Sequence, residues 1–431
     1  MEKDLSTIAA IDIGTTKIVA ITGNKNKDGR YEITGFGTHP SKGIKRGVVL
    51  NIEQTINSIK SAIEKANPDD NESFNNIYVG VAGQHIKSLK NRGELELDEE
   101  NSKINQEHID RLTEMMYDTN IEPGEEILHI IPQNYIIGQE TGIDNPVGMV
   151  AQSLQANFHI VIGQKTLLNN INNCLGNLDI NVKSLILEPL ASAKAVLTTH
   201  EKDIGVALVD IGGGTTDIAV FKNNTLIHSA VIPIGGNIIT KDIKQTFSII
   251  EDQAEELKIQ YGSALQEKSQ EDLIISIEGL KGREKKEFSL KDLCLIIQAR
   301  MEEIIHAVMF QIESSKFQGQ LSAGIVITGG GALLKNLKQL VSFISGYDVR
   351  IAYPSEHICG KYSEIINKPQ FSTAIGLIMK GYEFSENDNE KILKKINLKK
   401  EKEVKIKEKK DNKFLDNFKT KVSKLFDEDE D

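Results

Sequence analysis

One pattern occurs twice in this chain, about 200 residues apart, and it constrains the fold more than anything else in the sequence. The first copy runs Ile8-Ala9-Ala10-Ile11-Asp12-Ile13, then Gly14-Thr15-Thr16, then Lys17-Ile18-Val19-Ala20-Ile21. The second runs Val206-Ala207-Leu208-Val209-Asp210-Ile211, then Gly212-Gly213-Gly214-Thr215-Thr216, then Asp217-Ile218-Ala219-Val220-Phe221. An apolar strand, an Asp-Ile pair, a glycine turn and a second strand, repeated so, read as a duplicated unit with two related halves. A glycine turn between strands lets backbone N–H groups converge on an anion, because no Cβ blocks the approach. An aspartate ending the preceding strand points into the same cleft, where it suits Mg²⁺ held through water. Two such loops facing each other would clamp a polyphosphate, with Asp12, Gly14, Thr15, Thr16 and Lys17 on one side and Asp210, Gly212, Gly213, Gly214 and Thr215 on the other. Asp12 and Asp210 are the candidate metal residues, and Asp217 suits either the metal shell or a cap on its own turn. A third strand and glycine turn, Gly324 to Leu334, continues into an expected helix; its Gly329, Gly330 and Gly331 would let backbone approach a base and ribose. No GxxxxGK[ST] sequence occurs, which excludes a P-loop nucleotidase.

Length and charge narrow the class. At roughly 150 residues per domain, 431 residues suggest two to four packed units. No stretch approaches 18 consecutive apolar residues, which excludes a membrane-spanning helix. Met1 to Leu5 lack the cationic and apolar regions of a signal peptide. Cys174, Cys294 and Cys359 form no CxxC pair and the histidines no HExxH, so neither a disulfide framework nor a zinc module is expected. The net charge of −11 argues against a nucleic-acid partner. Yet residues 391–424 carry 14 lysines against five acids, followed by the acidic run Asp427 to Asp431, so a basic arm trails an acidic body.

The three loops in this order resemble the actin, Hsp70 and sugar-kinase superfamily, an α/β fold whose ATP lies between two related domains. In that resemblance Leu187-Glu188-Pro189-Leu190-Ala191-Ser192-Ala193 and Phe371-Ser372-Thr373-Ala374-Ile375-Gly376-Leu377 look like the two connecting helices. Glu188 is the candidate for polarising an attacking water, although a glutamate at a helix start also suits the helix dipole. Glu255 and Lys258, in Ala254-Glu255-Glu256-Leu257-Lys258, are the candidates for reaching the nucleoside; the same pair also fits an exposed i,i+3 ion pair.

Further segments resemble the FtsA family of bacterial cell division. They are His129-Ile130-Ile131-Pro132-Gln133-Asn134-Tyr135, the loop Gly142 to Met149, Leu154 to His159, Ser41 to Gly47, and Pro233 to Ile243. The similarity spans about residues 7–382 and implies an actin-like duplicated ATPase fold with an FtsA-type extra subdomain. By this resemblance the first half of the core comprises 1–80 and 161–203, with the inserted subdomain at 81–160. The second half comprises 204–238 and 318–383, with a further inserted subdomain at 239–317. It implies ATP and Mg²⁺ as cofactors, slow turnover, and a site that serves as a nucleotide switch before it serves as an enzyme. The implied partners are other copies of the chain in filaments, later division proteins through 81–160, and the C-terminal peptide of FtsZ. Arg300 and Glu303 are the residues carried over for that peptide, and they also fit a surface ion pair.

Residues 384–412 read as a charged flexible linker and 413–427 as an amphipathic helix. At 100° per residue Phe414, Leu415, Phe418, Val422, Leu425 and Phe426 fall within an arc of about 120°, bordered by Lys419 and Lys421. Apolar residues at the acyl boundary with lysines on anionic headgroups bind a membrane surface without spanning it. Taken with the family resemblance, this implies a location on the cytoplasmic face of the cell membrane at the division site. Packing of that helix on its own domain or on a partner is the competing reading. The acidic run either projects into water or weakens the anchor. Two other functions fit the same loops: an FtsA-like adapter of another envelope machine such as pilus assembly, and an active ATPase or phosphotransferase of this fold.

Overall fold

A computed structural model describes residues 7–67, 74, 77–97, 102–266, 273–279 and 284–386. The chain divides into two compact units, Met1–Lys380 and Gly381–Asp431. The second is described only over residues 381–386, which are helical. Helix thus continues past residue 384, where the linker was expected to begin, with no proline or glycine after Gly381 to stop it. The rest of the expected linker, the amphipathic segment 413–427 and the acidic run lie outside the described residues. Among the described residues no helix is long and apolar enough to cross a membrane.

Two sheets organise Met1–Lys380, and each is built on one copy of the repeated pattern. The six-stranded sheet runs Val182–Leu187, Ile77–Val81, Ile8–Ile13, Lys17–Lys25, Tyr31–Pro40, Ile358–Cys359. The five-stranded sheet runs Thr225–Ile232, Thr216–Lys222, Val206–Ile211, Ile325–Thr328, Val349–Ile351. In both, the Asp-bearing strand pairs antiparallel with the strand after its glycine turn and parallel with a later strand on its other side. Every residue of Ile8–Ile13 and Val206–Ile211 is buried, as expected of central strands covered on both faces. The duplication therefore extends to topology. The register also shows a difference: Asp12 lies opposite Val19, whereas Asp210 lies opposite a second acid, Asp217.

Between the halves of the first sheet's sequence comes an antiparallel sheet in the order Glu140–Ile143, Glu125–Ile137, Ser153–Gln164, Ile86–Glu96. Its helix, Gln106–Met115, closes a core of Leu95, Leu112, Phe158 and Ile160 on one face. The long insertion in the second half holds helices Gly236–Phe247, Glu251–Tyr261 and Leu290–Ser314, and its Leu257, Leu293 and Ile304 share one core with Val209 and Ile327 of the second sheet. The helices Glu188–Val196 and 372–380 cross backbone to backbone: a Cβ on Gly376 would lie 1.8 Å from the Ala191 carbonyl oxygen. Only glycine permits that approach. One element departs from expectation. After Ile325–Thr328 the third turn forms only a short 3-10 segment, Gly330–Leu333, and an α-helix begins at Leu337. Consecutive glycines pay too much backbone entropy to carry the helix directly off the strand.

Candidate functional site

The two glycine turns face each other across a cleft of about 440 Å³. Asp12, Gly14, Thr15, Thr16, Lys17, Glu188, Asp210, Gly212, Gly213, Gly214, Thr215, Asp217, Glu255, Lys258, Gly329, Gly330 and Gly331 all line it. The turns approach closely enough that a Cβ on Gly213 would fall 1.8 Å from Thr16 Oγ1, and one on Gly214 2.5 Å from Thr15 Oγ1. The second turn is closed by Gly212 N–H donating to the Thr215 carbonyl at 2.9 Å. Thr15 Oγ1 accepts from Gly47 N–H at 3.2 Å, and Thr16 Oγ1 donates to Asn237 Oδ1 at 3.3 Å. Gly329 has φ 85°, and a Cβ there would meet Asp210 Oδ1 at 2.3 Å, so the third turn also needs glycine.

Four carboxylates converge here. Asp12, Asp210 and Asp217 are buried, at 7%, 8% and 4% exposure, and Glu188 heads the first connecting helix. Burial pushes the Asp12 carboxyl up to about 7, with the Lys17 ammonium pulling down and the Asp210 charge pushing up. Glu188 is held well above the usual range by burial and then by repulsion from Asp12, Asp217 and Asp210. Asp217 is raised in the same way by burial and Asp210, against the hydroxyl bond from Thr215. Burial also raises Asp210, while hydroxyls from Ser192 (2.7 Å) and Thr373 (3.3 Å) and the Lys17 charge restrain it. Lys17 falls to about 8 because burial outweighs both aspartates. Its ammonium also lies 4.5 Å from the Phe371 ring centroid.

Four carboxylates against the Lys17 ammonium leave the cluster short of positive charge. Asp217 Oδ1 is buried without a hydrogen-bond partner. Among the described residues no group of three His, Cys, Asp or Glu side chains stands close enough to hold a metal directly. An acidic pocket without a closed ligand cage fits Mg²⁺ that keeps its waters, with Asp12, Asp210 and Asp217 as the acceptors. Glu255 and Lys258 do form the i,i+3 ion pair, at 2.7 Å, but they form it inside the cleft. Lys258 Nζ also donates to Thr240 Oγ1 at 2.9 Å and to the Gly236 carbonyl at 3.2 Å.

Arg300 and Glu303 are not in the cleft. The Arg300 guanidinium pairs with Glu303 and donates to both carboxylate oxygens of Asp242, at 2.7 and 3.3 Å. The surface ion pair expected as the alternative role of these two residues is formed, with Asp242 as a second partner of the guanidinium. Sequence reasoning missed Asn237, Ser192 and Thr373, which complete the loop contact and the Asp210 network. Each stands in a segment quoted for resemblance, and none carries a signal of its own.

The chain matches the family model "Cell division protein FtsA" over residues 207–376 and "SHS2 domain inserted in FTSA" over 83–162. Relatives called cell division protein FtsA include that of Neisseria meningitidis serogroup B, 37% identical over 88% of this chain and 91% of the relative. The Pseudomonas aeruginosa protein is 36% identical over 87% and 89%, and the Escherichia coli K12 protein 32% over 91% and 94%. Among solved structures, the PilM-PilN type IV pilus biogenesis complex aligns with a TM-score of 0.62 at 15% identity, covering 88% of this chain and 98% of that one. MreB5 of Spiroplasma citri bound to ADP aligns at 0.54 and 15%, covering 90% and 98%. At such identities these two establish the actin-like fold alone. The sequence relatives establish more: the chain belongs to the FtsA family of cell-division proteins.

Proposed function

We propose that this protein binds Mg-ATP in the cleft, self-associates at the cytoplasmic face of the membrane at the division site, and tethers FtsZ filaments there. The observation that carries the reading is the pair of facing glycine turns over a buried acidic cluster, in a chain of the FtsA family. In this reading the N–H groups of residues 14–16 and 213–215 hold phosphate oxygens, and Lys17 adds its charge. Mg²⁺, when bound, neutralises phosphate charge and lets the aspartates ionise. Glu188 orients water toward the phosphate for a slow hydrolysis that resets a switch. Gly329, Gly330 and Gly331 line the nucleoside end together with Glu255 and Lys258. FtsZ's acidic tail docks at the helix bearing Arg300 and Glu303, exchanging its carboxylates for that of Asp242. The segment around Phe414, Phe418 and Leu425 anchors the assembly on anionic lipid.

The test is reconstitution. With ATP and Mg²⁺ present, FtsZ filaments are expected to pellet with anionic liposomes only when this protein is added. Recovery of FtsZ in the supernatant, with the protein itself shown on the liposomes, would refute the tethering role.

A further inference from the structure

Glu188 stands at a junction between two elements, and both ends of that junction are constrained. The residue before it, Leu187, ends the strand Val182–Leu187, which lies at the edge of the six-stranded sheet. That strand pairs with Ile77–Val81 on one side only. Edge amides need partners from elsewhere. For Leu187 the partner is a side chain: its N–H donates to His129 Nε2 at 3.0 Å. His129 comes from the strand Glu125–Ile137 of the inserted antiparallel sheet. The following helix, Glu188–Val196, has no side-chain N-cap, and a proline occupies its first turn. On its other flank the Glu188 side chain packs over Gly80, where a Cβ would sit 3.1 Å from Glu188 Cγ and 3.4 Å from Oε1.

We propose that His129 is a positioning residue for Glu188, fixing the backbone immediately before it and tying the carboxylate's location to the inserted sheet. This rests on the reading of Glu188 as the residue that orients water. An acceptor nitrogen must stay unprotonated to do this. Burial, with a contribution from Lys380, pushes the ring down to about 4, so Nε2 keeps its lone pair and Nδ1 carries the proton throughout the physiological range. A shift of the inserted sheet along this contact moves Leu187 and hence Glu188. The inserted sheet therefore has a hydrogen-bonded connection to the residue that carries the hydrolytic carboxylate.

The test compares His129→Ala, His129→Gln and Glu188→Gln in the full chain, measuring Mg-ATP affinity by titration and hydrolysis by single turnover at saturating ATP. His129→Ala is expected to slow hydrolysis on the order of tenfold while affinity stays within about twofold, because only the positioning of the carboxylate is lost. His129→Gln keeps an acceptor near Nε2 and is expected to recover most of the rate. Amide exchange at Leu187 should rise in the alanine variant and return in the glutamine one. Unchanged hydrolysis in His129→Ala, with Glu188→Gln slowed, would overturn the positioning role alone. Equal losses of affinity and rate in both His129 variants would overturn it too, since that is the mark of general structural damage. If Glu188→Gln hydrolyses ATP at the original rate, or the unaltered chain does not hydrolyse it, the reading of Glu188 fails and takes this inference with it.

Discussion

Asp210→Asn removes one of four clustered carboxylates while leaving an oxygen in its place, and its effects on the metal-free and loaded chain should have opposite signs. The amide oxygen still accepts from Ser192 and Thr373, which reach Asp210 Oδ2 from the two connecting helices at 2.7 and 3.3 Å. What disappears is charge. Asp12 sits at about 7 instead of 3.8, a gap worth about 4 kcal/mol against its ionised form at 1.4 kcal/mol per pK unit. Burial supplies the largest part of that shift and the Asp210 charge a smaller one. A relief on the order of one pK unit, about 1 kcal/mol, is expected from the substitution at pH 8. Because the Asp12 carboxyl is raised on folding, the folded chain binds more protons than the unfolded one between about pH 4 and 7. The corresponding stability is fully present below pH 3.8 and is lost as pH rises through 7. The metal-free protein should therefore be less stable at pH 8 than at pH 5, with Asp210→Asn narrowing the difference. Asp210→Ala also strips the two hydroxyls of their acceptor and should cost about 1–2 kcal/mol relative to the asparagine variant. Both variants should lose Mg-ATP affinity, on the order of 10–100-fold. Urea unfolding at the two pH values and Mg-ATP titration read all of this. An asparagine variant less stable than the original at pH 8, or one that binds Mg-ATP equally well, would refute the reasoning.

Gly376→Leu should push the crossing helices apart at Ala191 and cost about 3 kcal/mol in urea unfolding, with weaker Mg-ATP binding; an unchanged midpoint would show that the helices separate freely. Arg300→Ala should shift stability by less than about 1 kcal/mol, because its ion pairs with Asp242 and Glu303 are partly solvated, and a larger loss would mean the pair network is structural. Phe418→Glu combined with Leu425→Glu should abolish co-sedimentation with anionic liposomes, and continued pelleting would remove the anchor from the account.

Much of the cleft is legible in the sequence because the demands on its residues are local. A strand buried on both faces that ends in aspartate and glycine has little reason to do so except at a site, and Asp12 and Asp210 announce themselves this way. The hydroxyl network is not legible. Ser192 and Thr373 are 181 residues apart, 3.0 Å from each other in the fold, and neither differs locally from a small polar residue on a packed helix. His129 stands in a segment that marks the family, yet its partner Leu187 offers only a backbone amide, which no side-chain pattern can reveal. The third turn shows the reverse error. Gly329 and Gly331 lie close against Asp210 and Ile211, but the expectation of a continuous helix ignores how poorly consecutive glycines sustain one. The pair Glu255 and Lys258 satisfies both of its readings at once, because a cleft wall is itself a helix surface.

Fluorescence anisotropy of a labelled FtsZ C-terminal peptide, titrated with the chain loaded with Mg-ATP, tests the central claim most directly. The account predicts saturable binding that Arg300→Glu removes while nucleotide affinity stays the same. An unchanged anisotropy, with the chain folded and nucleotide bound, would contradict the tethering of FtsZ.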